Sequence, residues 1–468
     1  MESAILQYHV LAHSTRLHSR PPTIPEKILT PGWSFRSLCS SGLTRRHHVR
    51  FATRCTMRTG IDSANSPRNK NNTAVEVDTA ASKARRLAGP SPDKAATSTT
   101  SSRGLVLDLG PAGSWDSAEV GSPVVKRYVG DNEERWYMWY HGRSLGEEEN
   151  GVGDRDSIGL ATSCNGVHWL RGEGRVVRSC GEAGMVMECR ENWWAFDTES
   201  IRPAAQVVMS SPMYSSVYWL YYTGYSSDEV VVNSPGRPVS NPERSLNRKV
   251  LRSLPGLACS QDGRHWARIE GDHHSGALLD VGSGSEWDSL FIAGPQVVVH
   301  GSDDVRMYYH SFDRERGRYA VGLARSRDGI RWVKCGKIAV EGDGPTGSFD
   351  EAGIKSVSVV KNGRDGTYLM AYEAVAADAR TSIGIAISED GLGCWRKVGE
   401  RPALEASGTD GWDNWGVGSP CLVPMDGHED EWRIYYVGTD LGGRTGIGMA
   451  ISNGSDTGSF QRWSGISL

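Results

Sequence analysis

The chain contains no run of about 18 apolar residues, so no membrane-spanning helix is expected. It contains no Cys-x-x-Cys pair, and its nine cysteines are an odd number that follows no repeat. That pattern argues against a disulfide framework and for mostly reduced, core-packed thiols in a reducing compartment. Only Cys180 and Cys189, close in sequence, are placed to pair. Acid is nearly missing from residues 1–60, where Glu2 and Glu26 face eight arginines and one lysine amid abundant Ser and Thr. The segment also lacks the continuous apolar core of a secretory signal. Such composition predicts an organelle transit peptide, for the chloroplast first and the mitochondrion as the alternative. Residues 61–103 hold no aromatic residue, cannot bury enough apolar surface to offset ordering entropy, and read as a disordered linker.

Glycine and tryptophan, by contrast, are plentiful: 56 and 16 among 468 residues. Regularly placed aromatics between glycine turns suggest many short strands. Hydrophobic residues make up 38% and charged residues 23%, an ordinary globular composition. The net charge of −4 conceals an asymmetry, because residues 104–468 carry 36 basic and 50 acidic side chains. An acidic body excludes nucleic acid as a general partner, since phosphates must be neutralised by cations.

Three motifs recur five times in fixed order. The first is an aromatic followed by Asp: Trp115-Asp116, Phe196-Asp197, Trp287-Asp288, Phe349-Asp350 and Trp412-Asp413. The second is a strand ending in aromatics, such as WYMWYHG at 136–142 and WRIYYVG at 432–438. The third is a small-residue strand, an Asp-Gly or Asn-Gly turn and a Trp, as in VGLARSRDGIRW at 321–332. Asp-Gly and Asn-Gly close tight hairpins because they tolerate positive φ. Each set supplies four antiparallel strands, and such units bury their faces only against one another. The expectation is an all-β, five-bladed β-propeller over 104–468, with blades starting near 115, 196, 287, 349 and 412. Small residues in the third motif would let blades pack face to face. Insertions are expected at 170–194, between blades 1 and 2, and at 226–250, inside blade 2, with a shorter loop at 143–156. The segment 105–116 resembles the short strand before later repeats, has no blade ahead of it, and is expected to bridge blade 5 to blade 1.

With these motifs the chain resembles the arabinanase/levansucrase/invertase superfamily, the five-bladed propellers of glycoside hydrolase families 43, 32 and 68. The likeness rests on the five-fold count, the S-x-D-G-x-x-W turns from Ser260 to Trp266 and from Ser326 to Trp332, and the Y-Y-x-G strands. It covers nearly all of 104–468. The turns also resemble sialidase Asp-boxes, but those propellers have six blades. The resemblance implies a carbohydrate or similar polyhydroxylated ligand. The chain departs from the family at one point: the hydrolases place Asp before Pro at the start of an inner strand, whereas Ser122, Arg202, Gly294 and Ser419 stand there.

Within a propeller the start of strand one and the end of strand two converge on the axial mouth. An Asp present in all five blades reads as architectural, capping backbone N–H groups where a loop enters a strand. Function is expected where blades differ. Five residues past each Asp lie Gly121, Arg202, Ala293, Lys355 and Gly418. The small ones would leave space, and Arg202 and Lys355 would hold an anionic ligand or pair with nearby acids. At the matching end of strand two lie His141, Thr223, His310, Glu373 and Val437. The histidines could orient hydroxyls or move protons. Glycoside hydrolysis needs two carboxylates, for which Glu119, Glu199 and Glu373 are the candidates. Trp415 could stack on a sugar ring, as could Trp193 or Trp194. No metal or other cofactor is expected. The alternatives are a non-catalytic propeller that binds a protein partner through its long loops, or an enzyme of another class acting on a phosphorylated or lipophilic plastid metabolite.

Overall fold

The computed structural model describes residues 103–130, 133–144, 155–177, 182–211, 214–232, 248–341, 344–425, 431–454 and 456–465. Segment 1–60 and the linker up to residue 102 lie outside the described residues. So does Cys180, and with it the Cys180–Cys189 pairing. The chain divides into two units, 1–93 and 94–468, and the description concerns the second. Among the described residues, no helix is long and apolar enough to cross a membrane.

Five antiparallel sheets, one per repeat, make the expected five-bladed propeller. Blade 1 is β2 (Glu119–Val129), β3 (Glu134–Arg143), β4 (Ser157–Ser163) and β5 (Gly184–Met187). Blade 2 is β6 (Ser200–Ser211), β7 (Tyr214–Val232), β8 (Arg248–Ser260) and β9 (Ala267–Ile269). Blade 3 is β10 (Ala293–Gly301), β11 (Asp304–Asp313), β12 (Arg318–Ser326) and β13 (Val333–Lys337). Blade 4 is β15 (Ile354–Lys361), β16 (Tyr368–Val375), β17 (Thr381–Ser388) and β18 (Trp395–Lys397), with β14 (Val340–Glu341) added parallel to β18. Blade 5 is β19 (Gly416–Pro424), β20 (Trp432–Thr439), β21 (Thr445–Asn453) and β22 (Asp456–Arg462). The ring closes as expected: β1 (Leu105–Leu107) pairs with β21, Leu105 opposite Gly448 and Leu107 opposite Ile447. β22 pairs with the same edge of β21 further along, from Ala450 to Asn453.

The repeated Asp is architectural, but not as a backbone cap. Asp116, Asp197, Asp288, Asp350 and Asp413 are buried. Tyr140, Tyr222, Tyr309 and Tyr436 donate their hydroxyls to the carboxylates of blades 1, 2, 3 and 5. A cation from the outer part of each blade completes the clamp: Arg171, Arg268, Lys334, Lys397 and Arg462. The carboxylate is thus held by a phenol and a charge rather than by backbone amides, and one oxygen each of Asp197, Asp350 and Asp413 is left buried without a hydrogen-bond partner.

The alanines of the third motif lie in cores shared with the neighbouring blade, as expected, Ala161 with Val423 and Met425 and Ala386 with Tyr308, while its glycines act within their own blade. A Cβ on Gly159 would lie 2.2 Å from the Trp115 ring, and one on Gly322 would lie 2.5 Å from Trp287. These glycines receive the aromatic of their own blade. Besides these shared cores, the turns join one blade to the next. The Gly166, Gly263, Gly329 and Gly391 carbonyls accept from Tyr435, Trp139, Tyr221 and Tyr308 of the preceding blade. The turn Trp packs edge-on against that aromatic, Trp266 on Trp139 and Trp332 on Tyr221. Each fully buried ring adds roughly 2–3 kcal/mol of burial.

Two expected insertions need revision. Segment 170–194 contains β5, the outer strand of blade 1, rather than only a connection. Segment 226–250 is partly strand: β7 and β8 pair from Glu229–Leu251 to Val232–Arg248, and Val230 and Val232 pack on Leu290, Phe291 and Phe312. Of loop 143–156, residues 145–154 lie outside the described residues.

Candidate functional site

A cavity of about 830 Å³ opens at the axial mouth, where the first residues of the inner strands meet the last of the second strands. All five strand-two positions line it: His141, Thr223, His310, Glu373 and Val437. Arg202, Ala293, Lys355 and Gly418 line it from strand one, with Glu119 and Trp415. Glu199 is not among the lining residues. It lies 3.7 Å from Arg155, and its amide donates to the Tyr225 carbonyl. Trp193 is 89% exposed and Trp194 41%, both outside the lining.

Every inner strand carries a β-bulge at this level, which turns backbone amides toward the neighbouring blade. Ser122, Gly294, Ser356 and Ser419 sit there with φ of 48°, 61°, 41° and 45°. A non-glycine residue in this region costs about 1–2 kcal/mol, and the amide it presents is put to use. Gly294 donates to Thr223 Oγ1 (2.9 Å), Ser356 to His310 Nδ1 (3.3 Å) and Ser419 to Glu373 Oε2 (2.8 Å). Each bond runs from one blade to the side chain of the blade before it. Two links are missing from the circle. Val437 has no acceptor to offer Ser122. Pro203, at the same place in blade 2, has no N–H, and His141 Nδ1 is buried without a partner.

The small strand-one residues do not simply leave space for ligand. A Cβ on Gly121 would stand 2.6 Å from His141 Cε1, and one on Gly418 would stand 2.5 Å from the Glu373 carboxyl carbon. Glycine here makes room for the functional side chain of strand two.

The wall between blades 1 and 2 is the charged one. Asp156, fully buried, accepts Arg143 Nε at 2.7 Å and Arg202 Nε at 2.6 Å. The same guanidiniums reach Glu119, Arg143 in a very short contact and Arg202 at 3.4 Å. His141 Nε2 lies 3.3 Å from Glu119 Oε1. Burial alone would raise the Glu119 carboxyl, but the His141 hydrogen bond and the Arg202 charge outweigh it and hold it at about 2. Asp156 is lowered in the same way, against its own burial, by Arg202, His141 and Arg143. Burial and then Arg202 lower His141, which is neutral at pH 7. Asp156, His141 and Glu119 also have ligand atoms within 4.8 Å of one another. Both carboxylates are already shared by two guanidiniums, so the set balances its own charge and a divalent ion would have to displace them.

Across the cavity, Lys355 Nζ lies 2.7 Å from Glu373 Oε1 and 5.6 Å from the centre of the Tyr319 ring. His310 is pushed down to about 3 by burial and by Lys355. Arg380 lies over the Trp415 ring at 5.7 Å. Both cations expected to greet an anion, Arg202 and Lys355, are therefore ion-paired.

Sequence reasoning missed Arg143 and Asp156. Asp156 follows a polar loop with no counterpart in other blades, and its place is fixed by a parallel bridge to Ser200 across the blade boundary. It also missed the clamp cations, although a signal was present. A basic residue stands two positions after the turn Trp in four blades: Trp169/Arg171, Trp266/Arg268, Trp332/Lys334 and Trp395/Lys397.

No protein-family model matches the chain. Two uncharacterized proteins of Mycobacterium tuberculosis, MT1551 and Rv1502, are 30% identical over 237 residues. The match spans 50% of this chain and 66% of each relative, slightly under two thirds. Among solved structures, a BT0996–RGII complex is similar with a TM-score of 0.52 and 17% identity, covering 77% of this chain and 93% of that protein. A "Glycoside hydrolase" gives 0.51 and 17% over the same shares. At that identity the likeness is one of fold.

Proposed function

We propose that this chain is a glycoside-hydrolase-like propeller that holds a neutral carbohydrate at its axial mouth. The observation that carries the reading is the charge balance of the cavity: Glu119 and Asp156 are matched by Arg143 and Arg202, and Glu373 by Lys355. Such a wall offers many donors and acceptors without net charge, which suits hydroxyl groups better than a phosphate or carboxylate. The half-buried rings of Trp415, Tyr225 and Tyr319 add faces for a sugar ring. The fold of the "Glycoside hydrolase" neighbour supports the same ligand class.

If a glycosidic bond is cleaved here, Glu119 cannot be the proton donor, because at about 2 it is ionised at neutral pH. Its role is then to accept a hydroxyl or to stabilise positive charge on the ring, leaving Glu373 as the second carboxylate. That restriction favours a second reading, sugar binding without turnover. One experiment separates them: the full chain is titrated with neutral, acidic and phosphorylated sugars by thermal shift and assayed for release of reducing ends. A neutral oligosaccharide should raise the melting temperature, and Glu119→Gln and Glu373→Gln should reduce the shift. Release abolished in Glu373→Gln supports hydrolysis, and binding without release supports the second reading. A shift seen only with acidic or phosphorylated sugars would refute the neutral ligand. We also propose that residues 1–60 deliver the chain to a plastid and that 61–103 act as a linker. A fluorescent fusion of 1–60 that stays in the cytosol would disprove the delivery.

A further inference from the structure

Below the mouth the axis continues into a second cavity of about 350 Å³, walled by the five inner strands. It shares Pro123, Val124 and Pro420 with the mouth, so the two lie one beneath the other. Their chemistry differs. The charged side chains lining the lower cavity are Lys126, Arg127 and Lys361, and among the described residues no carboxylate lines it. Arg127 is bonded to Glu134 at 2.8 Å, outside the channel lining. Lys361 is exposed and lies 5.8 Å from the Tyr368 ring centre. Lys126 is half-buried and, among the described residues, has no carboxylate partner. Burial lowers the Lys126 ammonium from its usual value, and the neighbouring Cys421 thiol is kept protonated by burial.

A second group in the same channel is also unsatisfied. Gln206, from the adjacent blade, is 1% exposed. Gln206 Oε1 accepts from the Tyr128 hydroxyl at 3.1 Å, and the Gln206 amide nitrogen is buried with no partner. Burial raises the Tyr128 hydroxyl, so it remains a donor. An unpaired ammonium and an orphaned buried amide in one channel are both costly, and both are donors. One acceptor carrying negative charge would satisfy them together.

We propose that the axial channel binds a small inorganic anion, a halide or a tetrahedral oxyanion, held by Lys126 and the Gln206 amide. The cavity has room for such an ion with part of its hydration shell, a water occupying about 30 Å³. The site is separate from the mouth, where each cation already has a carboxylate.

The test is calorimetric unfolding of the full chain at constant ionic strength, with a bulky aromatic sulfonate as reference anion exchanged for chloride, sulfate or phosphate. Wild type should gain about 2–4 °C once the binding anion is well above its Kd. Lys126→Met and Gln206→Leu should lose that gain, while Lys355→Met, which removes a mouth cation, should keep it. The preferred anion distinguishes a halide site from an oxyanion site. Equal gains in wild type and Lys126→Met would assign the effect to surface screening and overturn the proposal. Should Lys126→Met not fold, chloride-35 line broadening in wild type gives the answer. Broadening reversed by Gln206→Leu supports the site, and no broadening with any shift unchanged by Gln206→Leu overturns it.

Discussion

The wall between blades 1 and 2 and the wall formed by blades 3, 4 and 5 are built from the same repeat, yet they are held together in different ways. On the second wall, a bulged amide of each blade reaches a side chain of the blade before it: Gly294 to Thr223, Ser356 to His310, Ser419 to Glu373. On the first, Pro203 removes that amide, and a network of four charges, Asp156 with Glu119, Arg143 and Arg202, joins the blades instead. Single hydrogen bonds of this kind contribute about 1 kcal/mol each, and losing one leaves a single partner unsatisfied at a cost of about 1–3 kcal/mol. A buried charge network specifies geometry strongly but fails severely when one member goes. The repeat therefore supplies a uniform frame, and the place where the repeat is violated is the place with distinctive chemistry.

The largest expected effect breaks the first wall. Asp156→Asn leaves Arg143 and Arg202 without their buried counter-charge and should cost about 3–5 kcal/mol, read as a lower urea midpoint. A loss under 1 kcal/mol would show that the guanidiniums find other partners. Next comes acid. The Glu119 carboxyl is depressed in the folded chain from the usual 4.5 to about 2. As pH falls the unfolded chain takes up the proton first, so this contribution is full above 4.5 and is lost toward 2. It amounts to up to about 3 kcal/mol, and Glu119→Gln should flatten stability against pH in that window. The second wall should weaken earlier, because His310 at about 3 stays neutral while its unfolded form charges below the usual 6.5.

A smaller effect sharpens the comparison. Pro203→Ser places on blade 2 the residue found at the bulges of blades 1, 4 and 5 and supplies an amide for the unpartnered His141 Nδ1. A new bond there should add about 0.5–1.5 kcal/mol. Destabilisation instead would mean that proline's rigid φ matters more than the missing donor. The smallest is Ser356→Gly, which relieves a φ of 41° while loosening the unfolded chain, for a net change of no more than about 0.5 kcal/mol.

The five-fold count and the closing strand were legible because each motif has its own spacing and chemistry: an aromatic-Asp pair, a Tyr-Tyr strand, an Asp-Gly-x-x-Trp turn. The positions converging on the mouth followed from the register, since residues equivalent in sequence are equivalent around the axis. What the repeat could not show is contact between blades. That Gly329 accepts from Tyr221 and that Asp156 sits beside Ser200 depend on packing between strands far apart in sequence. Glu199 was misplaced for a related reason. It lies near the start of the inner strand, but its side chain turns to Arg155 instead of the axis.

β1 and β22 occupy one edge of β21 end to end, and Gly104 is in contact with Arg462. In topological terms the backbone of the propeller is a circle with a nick, and the position of the nick is arbitrary. Joining residue 103 to residue 463 by a short peptide and opening the chain between two other blades would give a circular permutant with the same five sheets. The order in which the blades are written in the gene is therefore separable from their order around the axis.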